Sequence, residues 1–194
     1  MRIDVVPVFP EIIEAATGVG IVGRARKSGA VETNAWQLRD WSHDSHHKVD
    51  DYQYGGGVGM VLKPEPIFEA VEDICHREGG NVEGRRIILL SPQGKRFDQN
   101  LATELSHERH LVLICGRYEG VDERVRQHLI TDEISIGDFI TTGGEIPALA
   151  VIEAIVRLLP DVLTKKEAVR EETFSSNTFD WPHYTRPPDY RGMK

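Results

Sequence analysis

Ser135-Ile136-Gly137-Asp138-Phe139-Ile140-Thr141-Thr142-Gly143-Gly144-Glu145-Ile146-Pro147 is the stretch on which the fold turns. It sets three glycines, two adjacent threonines and two carboxylates between apolar runs. Thr131–Ile136 before it reads as the end of a strand, and Ala148–Leu159 after it reads as a helix. Such a strand–loop–helix junction leaves unhindered backbone amides and carbonyls at the end of a sheet, where ligands commonly bind. Two glycines alone would signal only a tight turn. A whole constrained loop, with related loops upstream, signals a ligand site.

Working outward, the same grammar repeats. Arg86–Leu90 reads as a strand ending in Ser91-Pro92-Gln93-Gly94, after which Asp98 caps a helix to about His107. Leu111–Cys115 is the next buried strand, ending in Gly116-Arg117-Tyr118-Glu119-Gly120-Val121-Asp122-Glu123-Arg124, with a helix to about Leu129. Three successive strands each feed a helix through a loop. That alternation predicts an α/β fold with a mostly parallel sheet and all three loops at its carboxyl edge. Toward the N-terminus, Ile3–Phe9 and Val31–Leu38 read as strands and Glu11–Ala16 as a helix. Gly18, Gly20 and Gly23 read as punctuation before a short basic helix, and Asp40–Tyr54 as a polar, histidine-rich loop entering Gly55-Gly56-Gly57-Val58-Gly59-Met60. Pro64 and Pro66 start a helix through about Arg77, with Ile67, Ala70, Val71 and Ile74 on one stripe.

Composition limits the options. A chain of 194 residues with 40% apolar and 28% charged residues suits one sizeable globular core. No run approaches a membrane span, and Met1-Arg2-Ile3-Asp4 has no signal-peptide architecture. Cys75 and Cys115 match no metal or redox spacing and are expected to be buried thiols in a reducing, cytoplasmic setting. A net charge of −8 argues against indiscriminate nucleic-acid binding but leaves room for a local basic site. Candidates are Arg24, Arg26 and Lys27, the His43/His46/His47/Lys48 cluster, and Lys165, Lys166 and Arg170.

Familiar chemistries fall away by inspection. Met60 stands where a dinucleotide fingerprint beginning at Gly55 and Gly57 needs its third glycine. Gly94-Lys95 fails as a P-loop, because Arg96 follows in place of Ser or Thr and Leu89 holds the first glycine position. There is no nucleophile elbow and no His-Glu-x-x-His, and three histidines without a second cluster are a weak metal signal. What remains is a set of backbone-rich loops suited to a neutral or cationic adenosyl ligand.

Val49-Asp50-Asp51, Tyr54–Met60, Leu90–Gly94, Cys115–Arg124, Ser135–Asp138, Gly143–Pro147 and His183-Tyr184-Thr185-Arg186-Pro187 occur in that order. Together they closely resemble the bacterial tRNA (guanine-N1)-methyltransferases, S-adenosylmethionine-dependent enzymes of the SPOUT class, from about Arg2 to the last residue. The resemblance implies a deep trefoil knot built from the three loops, an exception to the rule against knotted chains. It also implies an S-adenosylmethionine site lined by Leu90, Ser91, Pro92, Gly116, Ser135, Ile136, Gly137, Thr141, Gly143, Gly144 and Pro147. Tyr118 and Phe139 would wall that site, with Glu119 near the methionine end.

The same resemblance implies an obligate homodimer with active sites built from both subunits, methylation of N1 of the guanine immediately 3′ of the tRNA anticodon, and magnesium during catalysis. Guanine N1 carries a proton that must leave before it attacks the sulfonium methyl, so a general base and good positioning carry most of the work. The family's base falls on Glu172, a glutamate where the family has aspartate, with Glu171 as a neighbouring alternative. Arg157 would stabilise charge growing on O6, and Asp50 would help to hold the target guanine.

The expected organisation is a SPOUT domain over 1–160, a charged linker over 161–175, and over 176–194 the opening of a small helical domain that grips the tRNA anticodon arm. With most of that last domain lying beyond the sequence, the expectation is a chain that folds, dimerises and binds the methyl donor but methylates tRNA poorly or not at all. A SPOUT enzyme acting on another RNA position, or a cofactor-binding module without catalysis, are the alternatives.

Overall fold

A computed structural model describes residues 1–77, 85–163 and 182–193. In chain order the elements are β1 (Arg2–Val6), α1 (Pro10–Thr17), α2 (Gly20–Lys27), β2 (Glu32–Ala35), β3 (Asp50–Tyr52), β4 (Met60–Leu62), α3 (Pro64–Arg77), β5 (Arg86–Arg96), α4 (Gln99–Ser106), β6 (His110–Cys115), α5 (Glu123–His128), β7 (Asp132–Ser135) and α6 (Glu145–Val156). A 3₁₀ turn covers Leu38–Trp41.

Strands β1, β2, β5, β6 and β7 form one sheet in the order β2-β1-β6-β5-β7, with every pairing parallel. Side chains alternate across a strand, and here both faces are apolar. Ile88, Leu90, Leu111 and Leu113 pack under α1, α2, α4 and α6, whereas Ile87, Leu89, Val112 and Ile114 pack under α3 and α5. Covered faces on both sides are what a parallel sheet requires. The expected α/β architecture is present, with the carboxyl ends of β5, β6 and β7 side by side.

Local chemistry accounts for the element ends. Asp98 caps α4, its side chain accepting from the Leu101 amide at 2.8 Å. Helix α3 carries its predicted stripe, with Ile67, Ala70, Val71, Ile74 and Cys75 fully buried. Burial of each large aliphatic side chain is worth about 1.5–3 kcal/mol. Both cysteines are buried, and desolvation pushes both thiols up, Glu145 adding to the effect at Cys115 and Arg117 opposing it.

Three expectations change. Helix α2 starts at Gly20, so Gly20 and Gly23 lie inside it. A Cβ on Gly23 would stand 2.5 Å from the Gly18 carbonyl, so that glycine permits a close approach to the end of α1. The polar stretch before the triple glycine contributes β3, which pairs antiparallel with β4. Finally, β5 does not end at Leu90. The ladder with β7 breaks between Leu90 and Lys95 and resumes, so Ser91–Gly94 bulges out of a longer strand.

The sheet also holds a polar hub. Asp4, fully buried in β1, accepts from His110 Nε2 at 2.6 Å, Arg2 Nε at 2.7 Å, Trp36 Nε1 at 2.7 Å and Asn34 Nδ2 at 3.0 Å. Burial alone would raise its pKa. The bonds from His110, Arg2, Trp36 and Asn34 prevail and lower it from 3.8 to about 2.

Contacts divide the chain into a unit over Met1–Leu163 and a second over Thr164–Lys194. In the second, the described residues are exposed, and Tyr190 and Met193 exchange backbone hydrogen bonds at 3.0 and 3.1 Å.

Candidate active site

The carboxyl edge of β5, β6 and β7 closes around a cavity of about 650 Å³. Each wall follows from its sequence. Gly94 lets the Ser91–Gly94 bulge fold back on β7, since a Cβ there would lie 2.4 Å from the Ile134 amide nitrogen. The second wall, Gly116–Asp122, is fastened to the third, where the Gly144 amide donates to the Gly116 carbonyl at 2.7 Å. A Cβ on Gly144 would stand 2.6 Å from Cys115 Cα, so only glycine permits this contact. Tyr118 carries a φ of 59°, an uncommon backbone state for a non-glycine residue, and 46% of the residue stays exposed. In the third wall, the Ser135 hydroxyl and Gly137 tie a tight turn, and the Thr141 hydroxyl donates to the Gly143 carbonyl at 2.9 Å. Pro147 sits in the first turn of α6, which is why that helix begins before Ala148.

All the residues expected to contact or enclose the methyl donor line this one cavity: Leu90, Ser91, Pro92, Gly116, Tyr118, Glu119, Ser135, Ile136, Gly137, Phe139, Thr141, Gly143, Gly144 and Pro147. Asp50 is not in the lining. It sits half-buried on β3 opposite Leu62, and the Leu62 amide donates to the Gly120 carbonyl at 3.0 Å, so it is one strand removed from the cavity wall. Arg157 follows the last turn of α6, whereas the cavity meets that helix at Gly144 and Pro147. At 1.5 Å per residue the two ends are roughly 18 Å apart. Glu172 and Glu171 lie outside the described residues.

The lining also includes charges that sequence reasoning missed. Arg117 Nη2 is 3.4 Å from Glu145, which is 2% exposed, and the guanidinium lies 4.5 Å from the centre of the Phe9 ring. Arg126 pairs with Glu133 at 3.0 Å. Arg126 also pairs with Glu123 at 3.1 Å, so both arginines of the cavity are engaged by carboxylates, while Glu119 adds negative charge. Such a lining repels a phosphate and suits a ligand carrying positive charge, such as a sulfonium with an ammonium group. Unlike the glycines, Arg117 and Glu145 are far apart in sequence, and their only local signal was a charge within each Gly-rich motif. His43 pairs with Glu69 at 2.9 Å, and among the described residues no group of three His, Cys, Asp or Glu could hold a metal ion.

Comparison with known proteins agrees with this geometry. A model of the family described as tRNA (Guanine-1)-methyltransferase TrmD matches residues 1–194. The tRNA (guanine-N(1)-)-methyltransferase of Bacillus subtilis (strain 168) is 50% identical over 194 residues, covering 100% of this chain and 79% of that protein. The enzyme of the same name from Bacillus licheniformis is 52% identical with the same coverage. Among solved structures, that of tRNA (m1G37) methyltransferase from Aquifex aeolicus superposes with a TM-score of 0.84 at 44% identity, over 100% of this chain and 79% of that one.

Proposed function

The chain belongs to the tRNA (guanine-1)-methyltransferase family, and on that premise we propose that it transfers the methyl group of S-adenosylmethionine to N1 of the guanine immediately 3′ of the tRNA anticodon. The observation that carries the reading is the single cavity at the β5–β6–β7 edge, formed by every residue assigned to the methyl donor. When bound, the donor supplies an electrophilic methyl group on a sulfonium. The protein's task is then to hold both reactants in line and to remove one proton.

Backbone groups at Leu90, Ser91, Gly116, Ile136 and Gly137 orient the donor, Tyr118 and Phe139 flank it, and Glu119 faces its charged end. Asp50 holds the guanine, Glu172 takes the N1 proton, and Arg157 faces the charge that grows on O6. The distance along α6 supports a site shared between two protomers, with Arg157 and the linker of one serving the cavity of the other. Exposed apolar side chains at both ends of α1 and at the start of α6 support the same homodimer: Phe9 is 42%, Ile12 36%, Val19 66% and Ile146 55% exposed. The three loops meeting at Gly116, Gly144 and Gly94 are consistent with a trefoil knot. The working division is 1–160 for methyl transfer, 161–175 as linker and 176–194 as the opening of a tRNA-gripping region. Magnesium is proposed to act during catalysis.

Methyl transfer from labelled S-adenosylmethionine to tRNA transcripts with guanine or adenine after the anticodon tests the reading. Transfer to the guanine transcript alone is expected, falling at least about 100-fold in Glu172→Ala. Full activity in Glu172→Ala with loss in Glu171→Ala would move the base by one residue. Transfer to the adenine transcript would point to another RNA position.

A further inference from the structure

Two aromatic rings stand in solvent beside the cavity. Tyr52 is 81% exposed and Tyr54, at 107%, is fully exposed. A lone exposed tyrosine carries little information, but these two sit on a hairpin fixed at both ends. At its base β4 is bonded to the cavity's second wall, with Leu62 donating to Gly120 at 3.0 Å, Glu119 donating to Met60 at 3.0 Å and Asp122 donating to Leu62 at 2.9 Å. At its tip the Gln53 side chain donates to the Val58 carbonyl at 2.9 Å, and the Gly56 amide donates to the Gln53 carbonyl at 3.2 Å. Gly55, Gly56, Gly57 and Gly59 all have positive φ, so the chain between the rings and β4 takes a path open to glycine. The rings are therefore presented on a fixed support. Tyr52 also falls on the face of β3 that carries Asp50.

Charge indicates what they meet. From Asp50 to Leu62 the hairpin has no lysine or arginine and carries Asp50 and Asp51, and Glu119 packs against Gly59. Between the Lys48 and Lys63 that flank it, such a surface offers phosphate groups no cation. A nucleobase needs none, because its π-face stacks on an aromatic ring and its N–H edges donate to carboxylates. A second copy of the chain fits less well, because the hairpin presents isolated rings among glycines and carboxylates rather than an aliphatic surface.

The geometry points to Tyr52 and Tyr54 as a stacking platform for an unpaired base of the RNA substrate next to the guanine being methylated, an inference that rests on the tRNA-methyltransferase reading. The platform contributes affinity and register through base faces, so its contribution is independent of salt. Phosphate contacts elsewhere carry the salt dependence.

Equilibrium binding of an anticodon-arm transcript across a salt series tests this with the parent, Tyr52→Ala, Tyr54→Ala and the matching Phe variants. Each Ala variant is expected to raise Kd about tenfold, with an unchanged slope of log Kd against log salt, unchanged S-adenosylmethionine affinity and recovery in the Phe variant. Unchanged Kd in both Ala variants would overturn the platform. So would a reduced salt slope, which marks a phosphate contact, or failure of both Phe variants to recover, which marks a hydroxyl contact. A shift of the Ala variants from dimer to monomer would assign the surface to a second copy instead. A parent that binds S-adenosylmethionine but binds the anticodon-arm transcript no better than an unrelated RNA of the same length would overturn the tRNA reading, and the platform with it.

Discussion

Asp4 and Glu145 are both carboxylates sealed from water, at 0% and 2% exposure, and their surroundings differ. Asp4, on the β2–β1–β6 side of the sheet, accepts from four different side chains. Glu145, at the start of α6 behind the cavity, has Arg117 at 3.4 Å, and its Oε1 has no hydrogen-bond partner among the described residues. Arg117 Nε and Glu133 Oε1 share that condition, and both residues line the cavity. A buried ion with its hydrogen bonds complete fixes a fold, whereas an incomplete one costs stability and calls for an explanation. The grouping of incomplete atoms around one cavity marks the edge where folding is compromised for binding. Thr33 Oγ1, in β2, is the exception among the described residues, a hydroxyl far cheaper to leave unpaired than an ion.

The strongest way to break this contrast is Asp4→Ala. It removes the acceptor of the His110 Nε2 and Trp36 Nε1 donors and is expected to cost about 3–5 kcal/mol in denaturant unfolding. A loss below about 1 kcal/mol would remove the hub from the account of stability. A smaller effect follows from pH. The folded-state pKa of Asp4 lies below its ordinary value of 3.8, at about 2. Its contribution is thus fully present above pH 4 and lost as pH falls toward 2, a change on the order of 2 kcal/mol. Unfolding curves from pH 5 to 2 should show that acid limb in the parent and a shallower one in Asp4→Asn.

The matched change on the other side, Glu145→Gln, is expected to leave stability within about 1 kcal/mol, since the neutral amide is cheaper to bury. It loosens the hold on Arg117, and S-adenosylmethionine affinity should fall roughly fivefold, about 1 kcal/mol. Thermal unfolding and a ligand titration on the same sample check both halves.

Neither carboxylate's surroundings could be read in the chain, although much of the frame that holds them could. The three strand–loop–helix units, the Asp98 cap and the bounds of α3 follow from periodicity and turn chemistry, which are local. The walls of the cavity were legible for the same reason, because glycine-rich loops after apolar strands announce exposed backbone. The Asp4 hub was not legible, since it joins Arg2, Asn34, Trp36 and His110 through parallel pairing that no local pattern encodes. Strands β3 and β4 were missed because each is three residues long, β3 contains two acids and β4 directly follows the glycine run. Asp50 and Arg157 were named as site residues from the family resemblance. The structure places them on the hairpin and at the far end of α6, positions that a spacing argument does not reveal.

The central claim is that the β5–β6–β7 edge holds the methyl donor, and titration calorimetry with S-adenosylmethionine tests it most directly. The parent is expected to bind one molecule per chain. Gly137→Ala, whose Cβ would meet the Phe139 ring at 2.7 Å at a φ of 152°, should remain folded and bind at least about tenfold more weakly. A folded parent that gives no binding heat, or a Gly137→Ala variant that binds as the parent does, would contradict the account.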